Sequence, residues 1–232
     1  MSQWQHAVLI DSRDISRTVK SLVFNVDEWC PHLCGQFYDV SVDGGKTSRC
    51  YSVASAPEVR NSIEIGVELL PSGVVSPKLH ALSVGESILV SGPHGLPVFT
   101  WSHEMSGPLV LIGGGSGMVP LMSMIRHYVA HRDQSSQSVT VISSARDSAH
   151  LVYHDDITAF ANSNPEIVYI PIATQDEKWQ GRRERIDAGL LESVVAPTSQ
   201  AYVCGSFGFV SEIGALLEQQ ITISQIHREY FG

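Results

Sequence analysis

Leu109 to Ile112 is an unbroken run of four branched apolar residues, and it leads at once into Gly113-Gly114-Gly115-Ser116-Gly117-Met118-Val119-Pro120. A strand that is apolar at every position must be covered on both faces, as in a parallel sheet between helices. The glycines then read as a tight loop, with Pro120 in the first turn of a helix over Val119 to Arg132. A buried strand, a glycine loop and a helix start, in that order, turn backbone N–H groups towards a space that favours phosphate. The same arrangement also serves as a plain tight turn beneath a helix. Its Gly-x-Gly-x-x-Pro form, counted from Gly115, departs from the usual dinucleotide fingerprint at the last position.

From Pro108 onward the pattern continues as alternating elements. Strands are expected at 139–143, 167–172 and 201–204, with helices near 153–161, 188–195 and 209–219. That alternation predicts an α/β doubly wound parallel sheet over 108–232. Before residue 102 the period is two. Residues 19–26, 35–42, the returning stretch around Arg49, 63–69 and 86–91 read as strands, and Asp43-Gly44-Gly45-Lys46 is a hairpin turn. Ser76-Pro77 reads as the cap and first position of a short helix through Leu82. Short strands at this spacing predict an antiparallel β-barrel over 1–102. The polar segment Trp101 to Gly107 reads as a flexible linker between the two domains.

Several classes are excluded on composition. A net charge of -9 argues against a nucleic-acid surface. The most apolar stretch, Pro108 to Ile125, is interrupted by four glycines and by Pro120, so it is no membrane span. The opening residues lack the long apolar core of a signal peptide. Cys30, Cys34, Cys50 and Cys204 show neither C-x-x-C nor iron–sulfur spacing, which fits free thiols in a reducing cytoplasm. The histidine pairs His127/His131 and His150/His154 have i, i+4 spacing without an intervening glutamate. Both pairs are expected on solvated faces, and no metal site is expected.

Residues Arg49-Cys50-Tyr51-Ser52 set a cation, a phenol and a hydroxyl within four positions. On a strand, Arg49 and Tyr51 share one face and Cys50 and Ser52 the other. A flat anionic ligand with an aromatic head would suit such a strand end, with Arg49 to grip phosphate and the Tyr51 ring to stack, but taken alone the four residues read more simply as an ordinary strand end with a solvated arginine and a half-buried tyrosine. Taken with Gly73-Val74-Val75-Ser76, Leu79-His80, Gly92-Pro93-x-Gly95, the glycine loop, Cys204-Gly205-Ser206 and Glu229-Tyr230-Phe231-Gly232, the chain resembles the ferredoxin–NADP reductase superfamily over nearly its whole length.

That resemblance implies a two-domain flavoprotein oxidoreductase with FAD on the barrel and NAD(P)H on the α/β domain. Arg49 would hold flavin phosphate, Tyr51 would stack on the isoalloxazine, and Ser52 would bond near N5. Val53, Ile65 and Val67 join the flavin surface, and Gly73, Val74, Val75 and Ser76 bind its pyrophosphate. Gly114, Gly115, Ser116, Gly117 and Pro120 form the pyridine-nucleotide loop, and Cys204 and Gly205 lie beside the nicotinamide. Ser52, Tyr51 and Cys204 are the candidate catalytic residues for hydride transfer. Phe231 would cover the flavin until nicotinamide displaces it. The strand end at Ser144 and Arg146 lacks the carboxylate that grips a ribose diol, which leans the choice towards NADPH, and Arg182, Arg183 and Arg185 lie near enough in sequence to add to that pocket.

Electrons are expected to pass to a separate acceptor, either an iron–sulfur protein on another chain or a small molecule. Two other readings stand beside this one. The chain could reduce free flavin as a substrate, or act as a non-catalytic nucleotide-binding, redox-sensing subunit.

Overall fold

In the computed structural model, which describes residues 4–95, 97–134 and 137–231, the period-two half forms one antiparallel sheet. Met1 of the expected first domain and Gly232 of the expected ending lie outside the described residues. The elements are β1 (Gln5–Asp14), β2 (Val19–Val26), β3 (Phe37–Ser41), β4 (Arg49–Ser52), β5 (Ser62–Glu68), α1 (Ser76–His80) and β6 (Ser87–His94). Their order across the sheet is β4-β3-β6-β1-β2-β5, and a bridge between Val53 and Ile65 joins the two outer strands, which closes the barrel. Leu9, Leu22, Phe24, Tyr38, Val40, Ile63, Ile65 and Val90 fill it, all fully buried. Alternation delivers them: Leu22 pairs with Ile65 and Phe24 with Ile63, so inward residues stand opposite one another.

The second half is β7 (Leu109–Gly114), α2 (Met118–His131), β8 (Val139–Ala145), α3 (His154–Ser163), β9 (Ile167–Ala173), α4 (Ala188–Val194), β10 (Gln200–Ser206), α5 (Phe207–Leu217) and β11 (Ile226–Phe231). The sheet is parallel throughout, in the order β11-β10-β7-β8-β9. The strand order reverses between β10 and β7, and ligands of such sheets bind in the crevice at that reversal. Both loops that carry the candidate nucleotide residues end there. Gly117 makes the approach possible: a Cβ on it would lie 2.2 Å from the Cys204 carbonyl oxygen.

The period pattern misses β1 and β11. Only Ala7 and Leu9 of β1 are buried, and a bulge after Leu9 breaks its alternation. β11 is a polar edge strand with Ile226 alone buried. Ser76 is not the helix cap, because its hydroxyl accepts from Leu70 N at 3.1 Å and the helix opens from Val75 instead. Trp101 to Gly107 is not a loose linker. Trp101 is 3% exposed, Tyr202 Oη donates to the Thr100 carbonyl at 2.8 Å, and Gln137 donates to the Met105 carbonyl. His127, expected in solvent, is 8% exposed.

The two sheets share a core. Ile15, Val19, Cys34 and Ala54 of the first half pack in one cluster with Leu111, Met118, Val119 and Met122 of the second. Gly66 on β5 lets α2 dock, since a Cβ there would sit 2.3 Å from Val119 Cγ2. A polar network crosses the same seam. Glu64 Oε2 accepts from Arg126 Nη1 at 2.6 Å, and Glu64 Oε1 accepts from Ser21 Oγ and Tyr153 Oη, each at 2.7 Å. Arg126 Nη1 also donates to the Ala54 carbonyl at 2.8 Å.

Candidate functional site

On the barrel side, β4 pairs with β3 through Tyr51–Tyr38 and Ser52–Phe37, which fixes where each side chain stands. The Arg49 guanidinium is exposed and donates to its neighbour, the Ser48 carbonyl, at 2.7 Å, with no carboxylate partner among the described residues. Cys50 turns outward and its thiol donates to Asp39 at 3.1 Å. Tyr51 is half-buried against the barrel core, and burial pushes its phenol up to about 12, so the ring stays neutral. Ser52 is 6% exposed, and its hydroxyl has no hydrogen-bond partner among the described residues.

Other expected flavin residues differ in what they offer. Val53, Ile65 and Val67 are fully buried in the barrel core, so their side chains present nothing to a ligand. The Val67 carbonyl is taken by His80 Nε2 at 2.8 Å. In the next loop Gly73 N donates to the Leu70 carbonyl at 2.8 Å, Val75 is buried, and Val74 stands exposed.

On the α/β side a cavity of about 640 Å³ opens at the strand-order reversal. Gly114, Gly115, Ser116, Ser144, Arg146, Gly205 and Phe231 all line it. A Cβ on Gly115 would meet nothing within 4 Å, so its backbone faces open space. Gly117 and Pro120 are buried scaffold behind that face. Of the three arginines near 182–185, Arg185 lines the cavity, whereas Arg182 is held by Asp187 at 3.0 Å. The opposite wall comes from the barrel: Thr18, Val19, Glu68 and Leu70, with Glu68 accepting from Ser116 Oγ at 2.7 Å. Arg49, Tyr51, Ser52 and the 73–76 loop do not line this cavity.

Cys204 is fully buried on β10, paired in register with Glu229 on β11. Burial, reinforced by Glu229, pushes its thiol well above the ordinary value. It therefore packs as a neutral group and is no nucleophile. Glu229, read in the sequence only as part of the ending motif, was given no role at this site. Burial raises its carboxyl to about 7, and its Oε2 has no hydrogen-bond partner among the described residues. No local spacing reveals this, because the parallel pairing of β10 with β11 creates the environment. Glu68, Thr18 and Leu70 were missed for a similar reason, since they belong to the other sheet.

The chain matches the model of the oxidoreductase FAD-binding domain over residues 6–99 and that of the oxidoreductase NAD-binding domain over 111–214. Ferredoxin–NADP reductase B of Sorangium cellulosum is 28% identical over 233 residues, covering 95% of this chain and 94% of that protein. The chain belongs to the ferredoxin–NADP reductase superfamily. The reductase component of phenol 2-monooxygenase from a Pseudomonas species is 29% identical over 199 residues, covering 84% of this chain but 53% of that protein. The chain thus spans about half the length of that relative. Among solved structures, a ferredoxin NADP+ reductase from Neisseria gonorrhoeae with bound FAD and NADP superposes with a TM-score of 0.80 at 21% identity, over 99% of each chain.

The residues present fit both cofactors of this superfamily. Towards a flavin they offer an unpaired hydroxyl at Ser52, a residue only 6% exposed, a neutral phenol at Tyr51 and an unneutralised cation at Arg49. Towards a pyridine nucleotide they offer the open backbone at Gly115 and the cations Arg146 and Arg185.

Glu229 makes one measurable demand on stability. Between about pH 4.5 and pH 7 the unfolded chain loses this proton while the folded protein keeps it. Stability therefore falls as pH rises through that window, by about 3 kcal/mol for this one group, and the loss persists above it. Urea unfolding of Glu229→Gln at pH 4.5 and pH 8 is expected to show the variant gaining on the parent only at the higher pH. An equal difference at both values would mean the carboxyl ionises as it does in water.

Proposed function

We propose that the protein is a flavoprotein reductase that takes hydride from NAD(P)H onto bound FAD and passes electrons to a separate acceptor protein. The observation that carries this reading is the cavity itself. Its floor is the glycine loop with Arg146 and Arg185, and its facing wall is the barrel at Thr18, Glu68 and Leu70, so a nucleotide seated there lies against the flavin domain. When bound, FAD accepts a hydride and returns electrons singly or in pairs, chemistry that the protein orients but does not itself contain.

The flavin-binding unit is taken as 1–102 and the nucleotide-binding unit as 108–232. Arg49 anchors flavin phosphate, the Tyr51 ring packs on the isoalloxazine, and the Ser52 hydroxyl supplies a hydrogen bond where charge develops. The backbone of Gly73 to Ser76 holds the pyrophosphate. Gly114 to Ser116 and Gly205 hold the pyridine nucleotide, with Ser144 and Arg146 at its ribose end. Phe231, half-buried at the cavity wall, covers the flavin side until nicotinamide enters. The acceptor is an iron–sulfur protein on another chain. Support comes from the relatives, one a ferredoxin–NADP reductase and the other the reductase component of a monooxygenase. A cytoplasmic location is supported by four free cysteines; no helix among the described residues is long and apolar enough to cross a membrane.

Purified protein loaded with FAD and freed of excess should stay yellow and bleach when NADPH or NADH is added without oxygen, faster with NADPH. Arg146→Ala should lower the NADPH-over-NADH preference about tenfold or more, the worth of one charge-assisted hydrogen bond. Protein that stays colourless after FAD addition contradicts retained flavin. Yellow protein that neither nucleotide bleaches contradicts the reductase and favours a non-catalytic subunit.

A further inference from the structure

Three histidines that play no part in the nucleotide cavity meet at the other end of α2. His127 and His131 are one turn apart on that helix, and His103 reaches them from the segment that connects the two sheets. One ring nitrogen from each lies within 4.8 Å of the others. His103 Nδ1 is 3.1 Å from His127 Nε2, and the His103 and His131 rings stack at 4.0 Å with 8° between planes. Tetrahedral zinc with Zn–N bonds of about 2.0–2.1 Å sets its ligand nitrogens roughly 3.3 Å apart. The first pair stands near that separation as a hydrogen bond that an ion would replace, and the third nitrogen is within 4.8 Å, with the His131 ring turning out of its stack so that its in-plane lone pair meets the ion.

The remaining ring nitrogens are committed in the manner of metal ligands. His127 Nδ1 lies 2.6 Å from Glu58 Oε1, and His131 Nδ1 lies 3.0 Å from the His127 carbonyl and 3.5 Å from the same Glu58 oxygen. Each Nδ1–H is thus directed at an oxygen acceptor, which leaves Nε2 of both rings with a lone pair; that of His127 stands against His103 Nδ1, whereas the His131 ring lies face to face with His103 and its lone pair stays in the ring plane. A carboxylate or carbonyl behind an imidazole is the usual support of a ligating histidine, because it fixes the tautomer and the ring plane. The set is all nitrogen with no thiolate, and three imidazoles suit zinc and its first-row neighbours rather than magnesium or calcium.

We propose that His103, His127 and His131 bind one Zn²⁺ ion, with Glu58 orienting His127 and a water completing the tetrahedron. The ion would clamp three separate parts of the molecule: the loop after β4 through Glu58, the connecting segment through His103, and α2 through the helical pair. None of the four residues lines the nucleotide cavity, so the site is independent of the reductase reading.

The test uses the full-length chain without an affinity tag, stripped with chelator and titrated with ZnCl₂ by calorimetry. One equivalent should bind and raise Tm, while MgCl₂ should do neither. His103→Gln and His131→Gln, both at partly exposed positions, should each weaken zinc binding by 100-fold or more. Circular dichroism of the zinc-free variants should match the parent and so show that they fold. Glu58→Gln should weaken binding about 10–100-fold without changing stoichiometry. Co²⁺ should give the visible bands of a tetrahedral nitrogen site without a thiolate charge-transfer band. Failure of zinc to bind stoichiometrically, unchanged affinity in both histidine variants, or a cobalt spectrum showing thiolate would each overturn the proposal.

Discussion

Arg126→Ala is expected to cost about 3–5 kcal/mol of folding stability, the usual result of removing one partner from a buried ion pair. Glu64 and Arg126 side chains are 12% and 19% exposed, and they sit where the barrel meets α2. Burial alone would raise the Glu64 carboxyl; the Arg126 charge and hydrogen bonds, with the Ser21 and Tyr153 hydroxyls, hold it below the ordinary value. A group with a depressed folded pKa contributes stability above its unfolded pKa and loses it as pH falls through the folded one. In the parent this contribution is therefore present above about pH 4.5 and fades below it. Without Arg126 the sign reverses. The carboxylate is left desolvated with only hydroxyl donors, its pKa rises, and the penalty is felt at neutral pH and relieved in acid. Guanidinium unfolding at pH 7 and pH 4 measures both predictions. Adding Glu64→Gln to Arg126→Ala should recover much of the loss at pH 7, because no charge then remains buried. A loss below about 1 kcal/mol at pH 7 would mean that water reaches the pair.

Ser52→Ala is expected to slow flavin reduction about 10²–10³-fold while FAD affinity changes less than about tenfold. The first figure is the range for removing one positioned donor from a site where charge develops, and the second reflects the small net worth of a neutral hydrogen bond. The two effects separate because Ser52 adds little else. Its backbone is held by Phe37 across β4 and β3, and its hydroxyl has no protein partner among the described residues to be lost. Anaerobic stopped-flow with NADPH gives the rate, and titration of the flavin-free protein gives the affinity. Reduction at the parent rate would remove Ser52 from the chemistry. Flavin lost from the variant would recast it as a binding residue.

Much of the architecture was legible because its signals are local. Period-two alternation along 19–26 and 63–69 marks strands with one core-facing side, and the solid apolar run at 109–112 marks a strand covered on both. The glycine loop reads directly, since Gly115 to Gly117 must turn between β7 and α2. Elements whose signals are weak, such as bulged β1 and polar edge strand β11, were not visible in the pattern.

Residue identity suggested ligand residues but not which way each side chain is turned. Ile65 and Val67 look like neighbours of a flavin strand, yet the pleat turns both into the core. The glycine spacing and the strand periods therefore indicated an antiparallel half and a parallel α/β half, while the ligand classes came from the resemblance of the motifs taken together. That spacing and those periods depend only on residues a few positions apart. Tertiary packing decided the rest: the neutral Cys204 beside a Glu229 raised to about 7, the Glu64–Arg126 pair across 62 residues, and His103 against His127. Each is set by burial and by which chain segments meet, and charge state follows the local dielectric rather than the residue's neighbours in sequence.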